Sequence, residues 1–512
     1  MSTSSAEKAE QAPTYGGWRR PASPGAFHLK LIPTLAGGAA VLVTVVISMS
    51  FTFVFGLIFA GVALVLAAPA IVQVKGRPLY SMWARSRAFR RGVRRGQHVY
   101  LSGIAGVNRA GLRNLPGLLA KVAVWRAFDG IGREFALVEI LAAQQWAVVM
   151  QVTAQGGALV DPETRNIQVA RWAEFLAMLG EDGGIVQATV TGETIPVSSA
   201  AMTAHVSRLI DPDAPEFARR VMIAEGEEFP AGVTETICYV AVTYDEKAFG
   251  IDRKNLKGRA VAEAVAEQIG RGLPEVSMRL VDVGASKGIP LTAGQLGRRV
   301  HEAFDPVMSV EYAQLDAAGD PVEIDWDDAG PAWHEEEPGG VEYHHDSGIS
   351  CTWEALKVPP GIVTDQALQR LMSPIAGAPR KRVTLLYRPV DAGKTADTVD
   401  RDYKAALNRS GQHKLEKAHE SLDLQSAKQA TAEEARGAGV VSFSLLVTAT
   451  VSKGDRVAFD RATRAVVQAG KSSRFRLSPV RGAQAAAFAG ALGIGLSLAD
   501  LSIIPAAVRD HI

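Results

Sequence analysis

Cysteine is nearly absent from this 512-residue chain, which contains only Cys238 and Cys351. Two cysteines so far apart exclude a disulfide framework and a cysteine-based zinc site, so we expect the bulk of the chain to be cytoplasmic. Disorder as the main state is also excluded, because 47% of the residues are hydrophobic and only 21% are charged. At roughly 100–200 residues per domain, the length predicts two to four folded units.

Acidic residues are absent between Glu10 and Asp129, whereas 15 Lys and Arg residues lie in that stretch. The totals of 55 basic and 54 acidic residues hide this asymmetry. Basic residues are scarce in turn between His301 and Val358, where Lys357 is the only one. The composition therefore predicts a cationic amino-terminal region and an anionic insert in the middle of the chain.

Formal charge is missing altogether from Leu31 to Val74, a run of 44 residues. One membrane crossing needs about 20 predominantly apolar residues, so this run predicts a transmembrane hairpin with helices near 31–48 and 52–72. A cleaved signal peptide is the less favoured alternative, because its apolar region covers only about 7–15 residues. Positive charge on both flanks and none at the tip predicts a two-span protein of the cell membrane with both termini cytoplasmic.

A basic segment with interleaved aromatic residues follows the predicted hairpin. These side chains are expected to contact anionic lipid at the membrane surface, each contributing about 1 kcal/mol, and to fix the topology. Nucleic-acid binding is a less favoured alternative, since such a composition also suits phosphate and base contacts. The candidate contact residues are Lys75, Arg77, Arg85, Arg87, Arg90, Arg91, Arg94 and Arg95.

After Pro116, short apolar runs alternate with helical periods, and no repeat with a period of 20–50 residues is present. Strands over 146–153 and 185–191 flank a predicted helix over 166–179. A second such β-α-β unit comprises a strand over 236–244, a helix over 254–269 and a strand over 276–283. The predicted fold class is α+β: an N-terminal two-helix transmembrane hairpin followed by mixed α/β cytoplasmic domains that lack an ATPase core.

The remaining elements and the domain boundaries follow from the same patterns. Thr292 and Gln295 are predicted to form a capping box at the start of a helix. Further helices are predicted over 364–372, 391–436, 455–469 and from Ala483, and further strands over 382–387, 440–451 and 473–479. The predicted regions are a cytoplasmic tail (1–30), the hairpin (31–74), a basic juxtamembrane segment (75–115), a first α+β domain (116–313), an acidic insert (314–348) and a second α+β domain with a long charged helix (349–512).

One motif comes close to a phosphate-binding loop. Residues 388–395 read RPVDAGKT, against the pattern GxxxxGK[ST]. Arg388 replaces the first glycine and Pro389 removes an amide donor, so the loop cannot wrap a phosphate. We expect Asp391 or Thr395 to start the long helix instead.

A second motif, Gly284–Gly288 (GASKG), matches the GxSxG pattern of serine hydrolases. A nucleophile elbow requires the serine on a turn that leads directly into a helix. Here Ile289 and Pro290 intervene, so Ser286 is predicted to lie in an ordinary turn.

Three histidines, His334, His344 and His345, lie among the carboxylates of the acidic insert. Imidazole and carboxylate together can hold a divalent ion, but the spacing fits no known zinc helix. A solvated acidic loop that faces a basic partner is the favoured interpretation. No catalytic residue, cofactor site or metal site is therefore predicted, and the chain is not expected to be an enzyme.

The motif Tyr15–Arg20 (YGGWRR), followed at once by the apolar run, resembles membrane proteins of actinobacterial mobile elements that are encoded beside PrgI-like proteins and VirB-type conjugation ATPases. The soluble part resembles the N-terminal, non-motor region of the VirB-type ATPases. This chain ends where the motor domain of that family would begin, and it has no complete Walker motif. The matching stretches are QVARWAEFLAML, GIPLTAGQLGRRVHEAFDP, YRPVD, the long charged helix, VVSFSLLVTATVS and QAAAFAGALGIG.

The resemblance implies a non-catalytic docking subunit of the inner membrane in a type IV-like conjugative secretion apparatus. Such a subunit would recruit a VirB-type ATPase, associate with PrgI-like subunits and work as an oligomer within a complex. A type VII secretion component similar to EccE is the nearest alternative. A membrane-bound hydrolase that uses Ser286, or a nucleotide enzyme that uses Lys394 and Thr395, is the alternative from another class.

Overall fold

The computed structural model describes the chain from residue 31 to residue 501 with several gaps. The gaps are residues 51–52, 72, 75–76, 104–105, 107–114, 155, 157–159, 182–183, 198–202, 204–205, 228–232, 252, 254–255, 257, 358–364, 391, 412–417 and 435–438. The described strands are β1 (Gln73–Val74), β2 (Arg77–Pro78), β3 (Val99–Leu101), β4 (Val122–Phe128), β5 (Glu134–Ile140), β6 (Gln145–Val152), β7 (Ile185–Pro196), β8 (Thr234–Asp245), β9 (Ile289–Pro290), β10 (Trp333–Glu336), β11 (Tyr343–His345), β12 (Gly348–Lys357), β13 (Arg380–Pro389), β14 (Val441–Ser452) and β15 (Arg476–Pro479).

The helices are numbered in the same way over the described part of the chain. They are α1 (Leu31–Ser50), α2 (Phe53–Ile71), α3 (Leu79–Arg94), α4 (Pro162–Glu181), α5 (Glu216–Glu227), α6 (Arg259–Asp282), α7 (Ala293–Phe304), α8 (Met308–Ala318), α9 (Gln369–Met372), α10 (Ala392–Gly411), α11 (Ala418–Glu434), α12 (Arg456–Ser472) and α13 (Gln484–Ala491).

Thirteen of the described strands form one antiparallel sheet, and β1 and β2 form a separate pair. The order along the sheet is β3-β10-β11-β12-β14-β13-β7-β8-β6-β5-β4, with β15 paired to β12 and β9 paired to β6. The strand order is symmetric about the junction of β13 and β7. We call this junction the seam, and the two halves the first unit (β4–β9) and the second unit (β10–β15).

The two units share local hydrogen bonds as well as strand order. In each unit, a proline ends the last short strand and a glutamine follows five residues later: Pro290 and Gln295 in the first unit, Pro479 and Gln484 in the second. The amide that follows each proline donates to the equivalent strand of its unit. Leu291 N donates to the carbonyl of Val149 on β6 at 3.0 Å, and Val480 N donates to the carbonyl of Thr352 on β12 at 2.9 Å. The chain therefore contains a structural duplication whose period is much longer than the 20–50 residues of a solenoid repeat.

Helices cover both faces of the sheet and enclose separate cores. On the first face, α7 and α13 pack over the strands, and Phe304 meets Phe488 with 5.2 Å between the ring centroids. On the second face, α4 and α6 cover the first unit, whereas α9 and α12 cover the second unit. Successive side chains of a strand point to opposite faces of the sheet. One strand therefore contributes apolar side chains to cores on both faces.

The predicted fold class is wrong in two respects. A membrane crossing needs about 20 predominantly apolar residues in one helix, and no helix in the described part of the chain has both the length and the apolarity required. The predicted transmembrane hairpin over 31–74 is therefore wrong, and so is the predicted localisation in the cell membrane with both termini cytoplasmic. The uncharged run contains α1 and α2, which contact each other.

The second error concerns the mixed α/β cytoplasmic domains. Strands β6 and β7 are joined by α4 and run in the same direction, as a β-α-β unit predicts, but β8 lies between them and pairs antiparallel with both. The second unit repeats this arrangement, with β14 between β12 and β13. Because a third strand is inserted into each crossover, the result is one continuous antiparallel sheet rather than separate α/β domains.

Some predicted elements are confirmed, and others are wrong. The long charged helix predicted over 391–436 is described as two helices, α10 and α11, which contact each other. The capping box of Thr292 and Gln295 is present at the start of α7. The predicted strand over 276–283 instead belongs to α6, which continues through Pro274. Proline cannot donate to the carbonyl four residues earlier, and the amide of Gly130 donates to that carbonyl of Gly270 at 3.0 Å. The helix therefore continues because a neighbouring loop replaces the missing donor.

Candidate functional site

Six of the eight predicted basic contact residues lie on or directly after α3. Phe89 on the same helix is half-buried and lies over Gly340 and Gly482, which anchors α3 to the second unit. Lys75 lies outside the described residues, as does the side chain of Arg77. Contact with anionic lipid or nucleic acid stays a prediction. The exposed set is Arg85, Arg87, Arg90, Arg91, Arg94 and Arg95.

Ser286 lies in the turn between α6 and β9. Its Oγ accepts a hydrogen bond from the amide of Thr153 at 2.9 Å, and it donates to the carbonyl of Lys287 at 3.3 Å. The hydroxyl thus ties the turn to the end of β6. The described contacts of Ser286 give it the structural role of a turn residue.

The near-phosphate loop is also built as ordinary secondary structure. Pro389 ends β13, and α10 begins at Ala392, so Thr395 lies in the first turns of a helix and is buried. Asp391 and the side chain of Lys394 lie outside the described residues. The segment is a strand followed directly by a helix.

The acidic insert adds β10 and β11 to the sheet, and its histidines differ in their surroundings. His345 is fully buried: its Nδ1 lies 2.5 Å from the carbonyl oxygen of Phe304 and its Nε2 lies 2.8 Å from the Oγ of Ser350. Burial lowers the pKa of His345 to about 3 and that of His334 to about 4. His344 is half-buried. No group of three or more metal-ligating side chains occurs in the described residues.

Helix α5 and the segment before it form an excursion between β7 and β8. The second unit has its own excursion at the equivalent place, α10 and α11 between β13 and β14. Phe217 on α5 is 73% exposed and Met222 is 51% exposed. We call the exposed apolar side chains of this excursion the α5 patch; they are Leu209, Phe217, Val221, Met222 and Ile223.

A cavity of about 510 Å³ lies on the first face, between the strands β7 and β8 and the helices α7 and α8. Charged side chains line its inner end. Glu193 on β7 lies opposite Arg382 on β13 across the seam, and Arg382 Nε donates to Glu193 Oε1 at 3.0 Å. From α7, Arg299 approaches the same carboxylate with 3.6 Å between its Nη2 and Glu193 Oε2.

The guanidinium groups keep Glu193 ionised in spite of its burial. Burial acts to raise the pKa of Glu193, but the charges of Arg382, Arg299 and Arg380 outweigh it and hold that pKa below its ordinary value. Burial also acts to raise the pKa of Glu302 on α7, and there it prevails over the nearby arginines, so that pKa lies above its ordinary value. The inner end of the cavity is therefore a site of excess positive charge.

Arg298, the neighbour of Arg299, is held by acidic partners at the outer side. It donates to both oxygens of Asp316 on α8 at 2.7 Å each, and to Glu302 Oε1 at 2.7 Å. These hydrogen bonds and charges raise the pKa of Arg298 although burial acts to lower it. A bidentate arginine–carboxylate pair fixes the relative orientation of its two side chains. This ion pair therefore holds α8 against α7 over the cavity.

The sequence contains one signal for this cluster that the strand predictions did not use. Charged residues are rare inside buried strands unless they are paired. Glu193 interrupts the apolar strand after residue 191, and Arg380–Arg382 opens the strand over 382–387. Their common location depends on the register of β7 against β13, which the pattern does not show.

Comparison with known proteins adds no relative to these observations. No protein-family model matches the chain, and no curated protein matches it either.

Proposed function

We propose that the chain is a non-catalytic docking subunit of a type IV-like conjugative secretion apparatus, where it binds a VirB-type ATPase as part of an oligomeric complex with PrgI-like subunits. The α5 patch carries this proposal. Its five apolar side chains are exposed, and a concentration of exposed apolar side chains in one short segment of a folded protein is a candidate interaction site. The resemblance of YGGWRR and of the soluble stretches to conjugation proteins supplies the identity of the partner.

The location of the patch supports a docking role. It lies on an excursion that leaves the sheet between two central strands, so a partner can bind there without disturbing the cores. The surrounding charges are mixed, with Arg219 and Arg220 beside Glu216. Arg220 forms only a long, exposed ion pair of 3.9 Å with Glu216. Exposed apolar and charged side chains are therefore mixed on α5, as they are at many protein interfaces.

The test uses the full chain and a purified VirB-type ATPase from the same organism. We expect Phe217→Asp combined with Met222→Asp to weaken ATPase binding by about 10- to 100-fold, since charges at the centre of an interface remove its main contacts. Val457→Asp is the matched control, because Val457 on α12 is 67% exposed and lies outside the patch. Binding that both variants retain in full would contradict the role of the patch.

The nearest alternative predicts a different partner. If the unaltered chain binds purified core proteins of a type VII system and not the ATPase, the EccE-like interpretation replaces the conjugative one. Helical content and thermal stability of each variant are measured alongside, so that lost binding is not confused with lost folding.

A further inference from the structure

We propose that the cavity between β7, β8, α7 and α8 binds a small amphipathic anion, a carboxylate or phosphate group on an apolar body, with Arg299 as the residue that holds the oxyanion. This inference goes beyond the docking role and does not depend on it. Three features support it: the unpaired donors of Arg299, the excess positive charge around them and the apolar walls of the cavity.

Arg299 is buried without the hydrogen bonds that a buried guanidinium needs. It is 9% exposed and lines the cavity. Among the described residues, none of its three nitrogen atoms has a hydrogen-bond partner. Its guanidinium carbon lies 3.8 Å from the centre of the Tyr239 ring, which supports the cation from one side only. The N–H donors of its guanidinium therefore have no acceptor at hydrogen-bond distance among the described residues.

The nearest carboxylate balances only part of this positive charge. Glu193 Oε1 already accepts from Arg382, and its other oxygen lies 3.6 Å from Arg299, beyond hydrogen-bond distance. Arg380 Nη1 donates a hydrogen bond to the backbone carbonyl of Glu302. Its other terminal nitrogen and one of Arg382 have no hydrogen-bond partner in the described part of the chain. Three guanidinium groups thus surround one carboxylate. Of the three, Arg299 lines the cavity, and an oxyanion bound there would supply it with an acceptor.

The rest of the cavity selects the body of the ligand. Its walls include the apolar side chains of Ile195, Ile237, Leu291, Val310 and Ala313. A volume of about 510 Å³ is in the range of small-molecule pockets, and such pockets combine apolar walls with a few polar anchors. The ligand that fits is therefore a small molecule whose one anionic end meets Arg299.

Two acidic side chains at the cavity lining narrow the choice further. Glu235 is exposed and Asp316 is partly exposed, and both line the cavity. Their charges disfavour a second anionic group at the outer end of the ligand. We therefore expect single-headed anions to bind better than ligands with an anionic group at each end.

The experiment is calorimetric titration of the full chain with benzoate, phenyl phosphate, inorganic phosphate and benzyl alcohol. We expect saturable binding of benzoate or phenyl phosphate and none of benzyl alcohol, which lacks the anion. Benzoate alone would identify a carboxylate site, and phenyl phosphate alone a phosphate site. Terephthalate, which has two carboxylates, should bind more weakly than benzoate. Inorganic phosphate bound as tightly as phenyl phosphate would contradict the role of the apolar walls.

Two variants test the residues. Arg299→Gln should weaken binding roughly 10- to 100-fold, since it removes charge-assisted hydrogen bonds. Arg259→Gln is the matched control, because Arg259 is an exposed arginine of α6 outside the cavity; its binding should be unchanged. Ala313→Phe leaves Arg299 in place and fills the cavity, so it should abolish binding. The proposal is overturned if no anionic probe binds the unaltered chain, or if Arg299→Gln and Ala313→Phe both bind as the unaltered chain does.

Discussion

The two units of the sheet have the same order of elements up to the equivalent helices α7 and α13. The segments that follow these two helices differ in structure. After α13, the second unit runs flat across the seam: Gly493 lies over Thr191, and Thr243 donates to the carbonyl of Gly495 at 2.8 Å. After α7, the first unit turns into α8, which is held by the ion pair between Arg298 and Asp316. The glycine segment packs onto the strands, whereas α8 leaves a cavity beneath it.

This difference shows how a duplicated backbone acquires unequal halves. Glycine has no Cβ, so a glycine segment can approach a sheet closely and adopt the positive φ angles that this path requires. Both Gly493 and Gly495 have positive φ. In the first unit, the chain after α7 forms α8 instead, and Arg298, Arg299 and Glu302 of α7 line the space beneath it. The closely packed glycine segment and the cavity beneath α8 therefore lie on the same strands, β7 and β8 of the first unit, and the segments that cover those strands make the difference.

The largest expected effect is on the glycine segment that follows α13. Gly495→Ala should destabilise the chain by about 3 kcal/mol, because the new Cβ would overlap the Cβ of Ala147 and lie 2.8 Å from Thr243 Oγ1. Gly454 has the same φ of 89°, but no atom lies within 4 Å of the position that a Cβ would take there. Gly454→Ala should therefore cost only the backbone strain, about 1 kcal/mol. Urea denaturation of both variants measures the difference, and equal losses would show that close packing at Gly495 is unimportant.

The next effect concerns pH and lies in the second unit. The folded-state pKa of His334, about 4, is below its unfolded value of about 6.5. As the pH falls below 6.5, the unfolded chain therefore binds the proton first, and stability that is fully present above pH 6.5 is lost toward pH 4. At pH 5 this loss should reach about 2 kcal/mol for His334.

His334→Phe is the variant that isolates this contribution, because phenylalanine keeps the ring stacked on Tyr100 and removes the titrating group. We expect the stability difference between pH 7.5 and pH 5 to shrink by about 2 kcal/mol in the variant. Urea midpoints at the two pH values provide the measurement. An unchanged pH dependence would mean that His334 is protonated as readily in the folded chain as in the unfolded one.

The smallest effect is expected at the two near-catalytic motifs, one in each unit. Ser286→Ala should cost about 0.5–1 kcal/mol of stability through the lost hydrogen bond to Thr153, and it should leave ATPase binding unchanged. Lys394→Ala should also leave binding unchanged, because residues 388–395 lack the glycine and the amide donor of a phosphate loop. Loss of binding with normal protein levels in either variant would refute the non-catalytic interpretation of that motif.

Local elements were largely predictable from the sequence, whereas their pairing was not. The capping box of Thr292 and Gln295 depends on residues three apart, and the pattern identified it. The sheet depends on β8 being inserted between β6 and β7, and no local period carries that information. The end of α6 was predicted wrongly for a related reason, since the donor that lets it pass Pro274 comes from Gly130, a residue far away in sequence.

The cavity was beyond prediction for the same physical reason. Glu193 and Arg382 lie on strands that are distant in sequence and become partners only through the register across the seam. Arg299 looked like one of many arginines on an amphipathic helix, because its lack of hydrogen-bond partners is a property of the folded surroundings. A charged residue inside an apolar strand remains the one sequence signal that could have drawn attention to the site.

The symmetric seam also has a consequence for synthesis. Strand β7 ends at Pro196 and its partner β13 begins at Arg380, so more than 180 residues must leave the ribosome before the two can pair. At about 5–20 residues per second, β7 waits on the order of 10 to 40 seconds as an unpaired edge, a state prone to joining strands of other chains. A nascent chain of this protein thus needs protection for longer than its size alone suggests, and the need ends when β13 arrives.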